Sequence, residues 1–520
     1  MLLALACALG IFLGTKLNFS STSEGLFTSN PKKEKLNKLI DYIDYEYVDD
    51  VNTDSIVDLT VNKILENLDP HSVYIPQTEY ANVTESMQGD FVGIGVSFYN
   101  VNDTVVVIQA LEGGPSEKLG IRGGDRILFA DDEQLFNKDF SNDSLTRYLK
   151  GEENSKVTLK VFRKGIEDLL TFRVRRGRVP IKSVDAAYML TDNLGYVKIN
   201  RFAETTYKEF KKSLESLKKQ GATKIALDLR DNPGGYLSEA INIADEFLED
   251  DKLILYTKNK SGAIEETYAS REGAFENAEV FVILNENSAS ASEVVAGALQ
   301  DNDVGTIVGR RSYGKGLVQR EMELGDGSAV RLTIARYYTP TGRSIQKPYT
   351  NGNESYFKDY VHRYENGEFN SSDSITVDDS LRYETPKGKV VYGGGGIIPD
   401  VFVGRDTNAE MENIILMHKS GMMSRFIFDE LEKNRTFYND LSREDFNNEI
   451  EISDEMIRDF LQFGRSENIN VRVYRYKDIL KKYLKATMAA QLYGTDAFEK
   501  LINNGDRIIE KVIELSEKKQ

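Results

Sequence analysis

Three serines in a run of small residues, Ser288, Ser290 and Ser292, are the candidate nucleophiles of this chain. An apolar, β-branched run from Val280 to Leu284 precedes them and predicts a strand, and a helical pattern of apolar residues follows them. The serines therefore lie in a turn at a helix N-terminus, where unpaired backbone N–H groups and the helix dipole favour an anion. Acyl transfer needs such a place for the oxyanion of its tetrahedral intermediate.

A serine hydroxyl needs a neighbouring base, because it does not ionise at neutral pH. The chain has only 3 histidines, and none lies in a small-residue or glycine-rich turn. Lys315 does lie in such a turn, and Gln319 follows it four positions later. A lysine base must be buried away from water, since lowering its pKa by roughly 3 units costs about 4 kcal/mol. The residues alone leave two interpretations open: a serine–lysine catalytic pair, or a helix N-cap and a solvated turn.

The segments SASASE and GRRSYGKGLVQ resemble motifs of the carboxyl-terminal processing (tail-specific) peptidases, a family of Ser/Lys serine endopeptidases. The segments DLRDNPGG and VYGGGGIIPD resemble the same family in order and spacing. The resemblance implies that Ser290 is the nucleophile, Lys315 the general base and Gln319 the residue that orients the lysine. The separation of 25 positions (315 − 290) also matches the family.

The fold that the resemblance implies is a multidomain α/β protein. It has a ClpP/crotonase-like αβ protease core with an inserted PDZ domain, an N-terminal helical region and a C-terminal helical domain. The predicted boundaries are 1–19 for a signal or membrane anchor, 30–84 for the N-terminal helices, 85–178 for the PDZ domain, 179–405 for the core and 406–520 for the C-terminal domain.

The segment NPGG follows a predicted buried strand and opens a predicted helix. Paired glycines at a helix start let backbone amides face a ligand, so Gly234 or Gly235 is predicted to supply one oxyanion donor and Ala291 the other. A phosphate-binding loop is the alternative, although the GxxxxGK[ST] spacing is missing. Asp228 and Arg230 are predicted to form an internal ion pair, and the four glycines of VYGGGG are assigned to packing.

Short strands alternate with glycine turns between residues 85 and 178. The predicted strands are Gly93 to Phe98, Val105 to Ala110, Arg126 to Ala130, Val157 to Arg163 and Leu170 to Arg175. With helices near Ser116 to Leu119 and Ser144 to Leu149, they resemble a PDZ domain, which binds an extended peptide as an added strand. The predicted carboxylate-binding loop is Gly93, Ile94, Gly95 and Val96. A small β-barrel packed permanently on the core is the alternative.

The chain opens with an apolar stretch, Met1 to Gly14, that is shorter than the roughly 20 residues of a membrane-spanning helix. It also lacks the preceding basic residues of a complete signal. We expect a signal peptide or anchor with a truncated or misassigned start, and export of the rest to the periplasm or cell envelope, anchored to the inner membrane. The single cysteine, Cys7, lies in this leader.

Two amphipathic helices are predicted next, and their apolar stripes are most simply interpreted as core. The stripes are Leu36, Leu39, Ile40, Ile43 and Tyr47, and then Val57, Val61, Ile64, Leu65 and Leu68. The family resemblance adds that such a region can mediate dimerisation, so a homodimer is expected. His71 is interpreted as a turn histidine, and residues 351–374 as a surface insertion.

The predicted function is therefore that of a serine endopeptidase. It binds the free, unstructured C-terminal tails of envelope proteins through its PDZ domain and cleaves them with a Ser/Lys dyad. The net charge of −17 argues against nucleic acid as a partner, and no metal or other cofactor is expected. Two alternatives remain open: a non-catalytic PDZ adaptor of the envelope, and an acyl-CoA enzyme that shares the αβ core.

Overall fold

The computed structural model describes residues 31–101, 103–270, 272–276, 278–467, 469 and 473–518. The predicted leader, residues 1–19, lies outside them. The chain divides into two compact units, residues 1–68 and 69–520. Within the described ranges, no helix combines the length and the apolar character that crossing a bilayer requires.

The first unit contains the helices α1 (Pro31–Glu46) and α2 (Thr53–Leu65). The Asn52 side chain caps α2 by accepting the N–H of Ser55 at 3.0 Å. The prediction that both apolar stripes are core is wrong for most of their residues. Only Leu65 is buried, and the exposed members are Leu36, Leu39, Tyr47, Ile64 and Leu68. In the described part of this unit, residues 31–68, α1 and α2 have no third element to pack against, and a pair of helices leaves part of each apolar face exposed.

The second unit begins with β1 (Val73–Ile75) and α3 (Gln77–Gln88). Strand β1 pairs antiparallel with residues 329–331 of the core. Residues 69–84, the last part of the predicted N-terminal region 30–84, fall in the second unit, whereas α1 and α2 fall in the first.

The next stretch is an open β-structure with two short helices. Its elements are β2 (Asp90–Gly93), β3 (Val96–Asn100), β4 (Val105–Ala110), α4 (Pro115–Lys118), β5 (Arg126–Ala130), β6 (Glu133–Gln134), α5 (Asn142–Leu149), β7 (Lys156–Phe162), β8 (Leu170–Arg175) and β9 (Gly177–Pro180). The sheet order is β3-β4-β5-β7-β8, with β6 on β5, and β2 pairs separately with β9. Strand β3 is therefore an edge strand, as β-strand addition of a peptide requires.

The central part alternates strands and helices. Its elements are β10 (Val184–Met189), β11 (Leu194–Ile199), α6 (Thr206–Lys219), β12 (Lys224–Asp228), α7 (Leu237–Asp245), β13 (Leu253–Asn259), β14 (Ile264–Tyr268), β15 (Glu279–Leu284), α8 (Ala291–Asp301), β16 (Gly305–Gly309), β17 (Leu317–Glu323), β18 (Ala329–Tyr338), α9 (Asn353–Glu365), β19 (Arg382–Glu384), β20 (Val390–Tyr392) and β21 (Val401–Phe402).

The main sheet has the order β10-β11-β12-β15-β16-β21. All its pairings are parallel except that of β10 with β11. Leu227 and Val282 pack towards one buried cluster, and Ala226 and Ile283 towards another, so β12 and β15 are buried on both faces. Because neighbouring parallel strands end at one edge of the sheet, the loops after β12 and β15 emerge side by side.

A second sheet has the order β1-β18-β13-β14, with β17 paired to β18. Residues 351–374 were predicted to be a surface insertion. That prediction is wrong for α9, because this helix packs on the loop before β17. Tyr356 and Arg363 are buried, and the Arg363 guanidinium donates to the carbonyls of Arg311 and Ser312 at 2.6 and 3.0 Å. The packing role of VYGGGG is confirmed, since a Cβ on Gly396 would lie 2.8 Å from the Ser312 carbonyl oxygen.

The predicted C-terminal helical domain is helical. It consists of α10 (Ala409–Lys419), α11 (Met422–Lys433), α12 (Arg435–Asp440), α13 (Arg443–Glu449), α14 (Asp454–Ser466), α15 (Lys477–Tyr493), α16 (Thr495–Asn503) and α17 (Arg507–Glu517). It contacts both neighbouring parts of the second unit. The Phe428 ring meets the ring of Tyr99 in β3 at 5.8 Å, and Glu499 pairs with Lys198 in β11 at 2.9 Å.

Candidate active site

Ser290 differs from its two neighbouring serines in exposure and backbone. Ser288 and Ser292 are fully buried, and their hydroxyls donate to the carbonyls of Leu229 and Asn232 at 2.8 and 3.0 Å. Ser290 is partly exposed and caps α8 with φ 55° and ψ −113°. A non-glycine residue at positive φ is strained, and such strain clusters at functional sites. Of the three candidates, Ser290 alone is both accessible and strained.

Lys315 lies in the loop that leads into β17, and its Nζ donates to Gln319 Oε1 at 2.8 Å. Burial, with the charge of Arg331, lowers the pKa of Lys315 to about 8, although Glu293 and Asp69 act in the opposite direction. About a tenth of the lysine is then neutral at pH 7. Among the described residues, no hydrogen bond joins the Ser290 hydroxyl to Lys315 Nζ, so that contact stays a prediction.

The buried carboxylate of Glu293 binds the backbones of both Ser290 and Lys315. Its Oε2 accepts the backbone N–H groups of Ser290 and Lys315, both at 2.8 Å. Its Oε1 accepts the N–H of Gly314 at 2.7 Å and the hydroxyl of Ser312 at 2.5 Å. Burial raises the pKa of Glu293, while these four donated hydrogen bonds stabilise its charged form. The loop of the lysine is thereby fixed against the turn of the serine.

A second tie comes from Tyr337 in β18. Its hydroxyl lies 2.8 Å from the carbonyl oxygen of Lys315 and 3.2 Å from that of Ser290, and its single proton can serve one of them at a time. The Tyr337 ring is buried, so its hydroxyl is a fixed contact for the backbones of Lys315 and Ser290.

The side-chain amide of Gln319 is oriented by the main chain of His71. Gln319 Nε2 donates to the His71 carbonyl oxygen, which can only accept. The amide oxygen must therefore face Lys315 Nζ. His71 is a satisfied turn histidine as predicted, with its own Nε2 at 2.8 Å from the Tyr356 hydroxyl, and burial together with Lys315 lowers its pKa to about 4.

The turn that carries His71 is itself held by a buried carboxylate. Asp69 accepts the N–H groups of His71 and Ser72 at 2.9 and 3.0 Å and the Ser72 hydroxyl at 2.6 Å. The Thr333 hydroxyl of β18 reaches the same carboxylate at 3.1 Å. The position of the Gln319 amide thus depends on a segment almost 250 residues away in the chain.

The two glycines of the predicted oxyanion loop are packed too tightly for any side chain. A Cβ on Gly234 would lie 2.8 Å from Ser290 Cβ and 2.9 Å from Ala291 N, and one on Gly235 would lie 2.1 Å from the Phe202 carbonyl oxygen. The N–H of Gly234 is donated to Asn232 Oδ1 at 2.8 Å.

The N–H groups of Gly235 and Ala291 have no hydrogen-bond partner within the part of the chain that the structure describes. Of the two glycines that the sequence left open, Gly235 therefore has the free amide. Ala291 is the first residue of α8, so the helix dipole adds to its attraction for an anion.

The predicted pair of Asp228 and Arg230 is confirmed at the end of β12. The guanidinium donates to both carboxylate oxygens, and the shortest distance is 2.6 Å. The hydroxyl of Tyr196 donates to the same carboxylate at 2.7 Å. This pair holds the fold at the base of the oxyanion loop, where the charge of each member is balanced by the other.

The predicted carboxylate-binding loop joins β2 to the edge strand β3. Gly93 is the last residue of β2. Gly95 has φ 77°, and a Cβ on it would crowd Gly114. The carbonyls of Ile94 and Gly95 accept from Ser116 N and Leu111 N at 2.9 and 3.0 Å. These bonds fix the loop directly before Val96, the first residue of β3.

Comparison with known protein families matches three parts of the chain. The PDZ domain model matches residues 92–175, peptidase family S41 matches 193–354, and a family of unknown function (DUF8443) matches 415–494. The carboxy-terminal processing protease CtpA of Bacillus subtilis (strain 168) is 32% identical over 321 residues, which cover 62% of this chain and 68% of that protein. The carboxy-terminal-processing protease of Bartonella bacilliformis is 30% identical over 347 residues, 65% of this chain and 78% of its own length.

This chain belongs to the carboxy-terminal processing proteases. It is a serine-type peptidase of family S41, with a PDZ domain on an α/β core and helical regions at both ends, as the motifs predicted. The solved structure of photosystem II D1 C-terminal processing protease is 26% identical. That match covers 71% of this chain and 86% of that one, with a TM-score of 0.37. The assignment of the protease therefore rests on its sequence relatives.

Sequence reasoning missed four residues of the site: Asp69, His71, Glu293 and Tyr337. One of them had a local signal, since Ser290 and Glu293 have the S-x-x-E spacing of a capping box. Asp69 and His71 reach the site through pairing of β1 with β18, and Tyr337 reaches it through pairing of β17 with β18. No short-range pattern in the sequence indicates these contacts.

Proposed function

We propose that this protease cleaves proteins that present a free, unstructured C-terminal tail, with Ser290 as nucleophile and Lys315 as general base. The observation that carries the proposal is the state of Lys315. It is partly buried, its pKa is lowered to about 8, and its loop is bound through Glu293 to the turn of Ser290. A surface lysine would have neither the lowered pKa nor this attachment.

In the proposed cycle, neutral Lys315 takes the proton of the Ser290 hydroxyl while its oxygen attacks the peptide carbonyl. The carbonyl oxygen becomes an oxyanion and accepts hydrogen bonds from the N–H groups of Gly235 and Ala291. The lysine ammonium then protonates the leaving amine, and an acyl-enzyme forms on Ser290. A water molecule, deprotonated by Lys315, hydrolyses this ester and restores the serine.

Gln319 keeps the base oriented during both proton transfers. Its amide oxygen accepts one N–H of Lys315, and the His71 carbonyl keeps that oxygen facing the amine. The remaining positions on Nζ stay available for exchange of a proton with Ser290 or with the leaving amine.

The PDZ domain is proposed to capture the tail. An extended peptide can pair with the free edge of β3, and the loop Gly93, Ile94, Gly95 and Val96 can hold its terminal carboxylate. Backbone hydrogen bonds do not depend on the side chains of the peptide. This mode of binding therefore suits a protease whose substrates share only an unstructured C-terminus.

The protease is further proposed to act in the cell envelope, attached to the inner membrane by its N-terminal segment, 1–19. A homodimer that forms through the first two helices is also proposed. Several large apolar residues of these helices are exposed, Leu39 and Tyr47 among them, and a dimer interface would cover them. Membrane fractionation of the full chain and light scattering on the purified protein test these two points. Recovery in the soluble cytosolic fraction would contradict the first, and a monomeric mass would contradict the second.

A cleavage and binding experiment tests the catalytic proposal. The substrate is a folded domain with an unstructured tail, and the variants are Ser290→Ala and Lys315→Ala. Both should bind the tail as the wild type does and lose cleavage by at least about a thousandfold, because each removes one half of the dyad. Amidation of the terminal carboxylate should weaken binding to all three proteins.

Two exposed residues provide matched controls. Ser261→Ala removes a loop hydroxyl, and Lys358→Ala removes a surface lysine that pairs with Glu354. Both should cleave at the wild-type rate. Normal turnover by Ser290→Ala would refute the proposed chemistry, and equal binding of free and amidated tails would refute the proposed mode of capture.

A further inference from the structure

The C-terminal helical domain reaches the base of the oxyanion loop. Asp506, the residue before α17, accepts from Arg230 NH1 at 3.0 Å, and Asn503 at the end of α16 lies 3.4 Å from Arg230 NH2. Lys419 of α10 lies 3.4 Å from the carboxylate of Asp231. Two consecutive residues of the core, Arg230 and Asp231, are therefore contacted by three side chains of this domain.

Arg230 is the last residue before the loop of residues 231–235. Its guanidinium is buried between two carboxylates: Nε and NH2 bind Asp228, and NH1 binds Asp506. Asp506 is the sole acceptor of NH1 among the described residues. Burial acts to lower the pKa of Arg230, but the two carboxylates outweigh it and raise that pKa, so the guanidinium is always charged.

The loop beyond Arg230 has little freedom in its active arrangement. Asp231 has φ 59°, a strained value for a non-glycine residue, and its carboxylate is also held by Asn287 Nδ2 at 2.7 Å. Asn232 then accepts the N–H of Gly234, which leaves Gly235 with the free amide. A strained loop of this kind persists only when its surroundings hold it, and here part of the surroundings belongs to the C-terminal domain.

The position of Asp506 is fixed by contacts other than its ion pair with Arg230. Its Oδ1 caps α17 by accepting the N–H groups of Ile508 and Ile509 at 2.9 and 3.0 Å, while Oδ2 faces Arg230. The apolar side of α17 is anchored under the main sheet, where Ile508, Ile509 and Val512 are buried against Phe281 and Ile283. The carboxylate is thus presented to Arg230 from a rigid support.

From these contacts we infer that Asp506 is a positioning residue for peptide hydrolysis, which acts through Arg230 on the oxyanion loop that carries the Gly235 amide. The inference rests on the proposed function, because it assumes that this amide stabilises the oxyanion. If Asp506 acts in this way, the C-terminal domain affects the rate of the catalytic step. A displaced oxyanion donor affects the transition state and leaves substrate binding unchanged.

Asp506→Asn is the informative variant. Asparagine is an equally good N-cap, so α17 keeps its cap, but the side-chain NH2 group then faces the guanidinium and the ion pair is lost. We expect kcat for a tailed substrate to fall at least about tenfold with KM unchanged within a factor of about two. The affinity of a peptide boronate, which forms a tetrahedral adduct on Ser290, should fall by a similar factor, while binding of the free tail stays the same.

Asp454→Asn is the matched control. Asp454 lies in the same domain and pairs at 2.6 and 2.7 Å with Lys477 and Lys481, both within that domain. This variant should keep wild-type kcat and boronate affinity. If Asp506→Asn is unfolded at the assay temperature, Asp506→Ser replaces it with the same two outcomes, since serine caps the helix but is too short to reach Arg230.

The inference is overturned if a folded Asp506 variant keeps kcat within twofold of the wild type, or if it raises KM and leaves kcat unchanged. The proposed function has its own test, so the two failures can be distinguished. Loss of turnover in Ser290→Ala together with normal kcat in Asp506→Asn would refute only the inference. Normal turnover in Ser290→Ala would refute the function on which it rests.

Discussion

At the scale of single residues, the account depends on a lysine whose pKa is lowered by burial. Lys315 has a pKa of about 8, chiefly because it is removed from water. A general base must be deprotonated to act, so activity should be lost as pH falls through that value. We expect log kcat/KM for a tailed substrate to rise with a slope near one up to about pH 8 and then to level off. A profile that is flat down to pH 6 would contradict this role.

The lowered pKa also has a stability cost that a variant can remove. Between pH 8 and about pH 10.4 the unfolded lysine holds a proton that the folded one does not, and below pH 8 the full cost is present. Lys315→Met should therefore be inactive yet more stable than the wild type, by up to about 3 kcal/mol at pH 7. Urea unfolding at several pH values checks this.

The gain in Lys315→Met should shrink above pH 8 and vanish above about pH 10.4, where both states of the wild type are neutral. Lys358→Met, which changes an exposed lysine, should show no gain at any of these pH values. An equal stability of the wild type and Lys315→Met at pH 7 would show that the buried amine carries no such cost.

Single residues could be predicted from sequence where the signal is local. Ser290, Lys315 and Gln319 stand in short motifs, and the structure places Lys315 and Gln319 in contact. His71 could not be predicted, because it reaches the site only after the distant strands β1 and β18 pair, and Tyr337 could not because its contacts with Lys315 and Ser290 form only when β18 packs beside the site. The contact between the Ser290 hydroxyl and the Lys315 amine stays a prediction.

At the scale of elements, the turn between β12 and α7 has no room for a side chain at Gly234 or Gly235. A Cβ on Gly235 would lie 2.1 Å from the Phe202 carbonyl oxygen, a distance that backbone atoms do not permit. Gly235→Ala should therefore displace the oxyanion loop, with a fall in kcat of at least about a hundredfold. Steady-state kinetics and a thermal melt on the same sample measure both effects.

Gly262→Ala is the matched control for this prediction. Gly262 also has positive φ, 84°, but a Cβ there would meet nothing within 4 Å. It should lose about 1 kcal/mol of stability and keep its kcat. Wild-type kcat in Gly235→Ala would mean that the loop adapts and that its amide is not the oxyanion donor.

Elements with strong periodicity were predicted closely. The strands Val105–Ala110, Arg126–Ala130 and Leu170–Arg175 have their predicted bounds, because each is a short run rich in β-branched or aromatic residues bounded by polar or glycine-containing turns. The segment Gly93 to Phe98 was predicted as one strand, but the structure starts β3 at Val96 and uses Gly95 for a left-handed turn. Strands β13 and β17, which are only partly buried, gave no such pattern.

At the scale of the whole molecule, the C-terminal domain contacts the edge strand of the PDZ domain. Phe428 is buried, its ring centroid lies 5.8 Å from that of Tyr99 in β3, and the Arg435 guanidinium lies over the Phe428 ring at 5.0 Å from its centroid. Phe428→Ala should destabilise this junction by about 3–5 kcal/mol. Hydrogen exchange should then become faster at the backbone amides of residues 96–100.

Phe357→Ala provides the comparison, since Phe357 is 56% exposed and lies on α9. It should leave exchange in β3 unchanged. Unchanged exchange in Phe428→Ala would mean that the PDZ domain is not held by the helical domain.

The arrangement of the whole chain could be predicted only in part. The order of domains follows from motifs along the sequence, and the family matches confirm a PDZ domain followed by a peptidase core. The packing of the C-terminal helices could not be predicted, because an amphipathic pattern gives an apolar face without saying what covers it. The same limit explains the wrong assignment of the N-terminal stripes to a core.

The central claim is that Ser290 is a nucleophile made reactive by Lys315. A fluorophosphonate probe tests it directly, because the serine oxygen displaces fluoride and keeps the phosphonyl group, which peptide mapping by mass spectrometry then locates. The account predicts one adduct, on Ser290 and on neither Ser288 nor Ser292, with a labelling rate that rises up to about pH 8 and is lost in Lys315→Ala. An adduct on another serine, or an undiminished rate in Lys315→Ala, would contradict it.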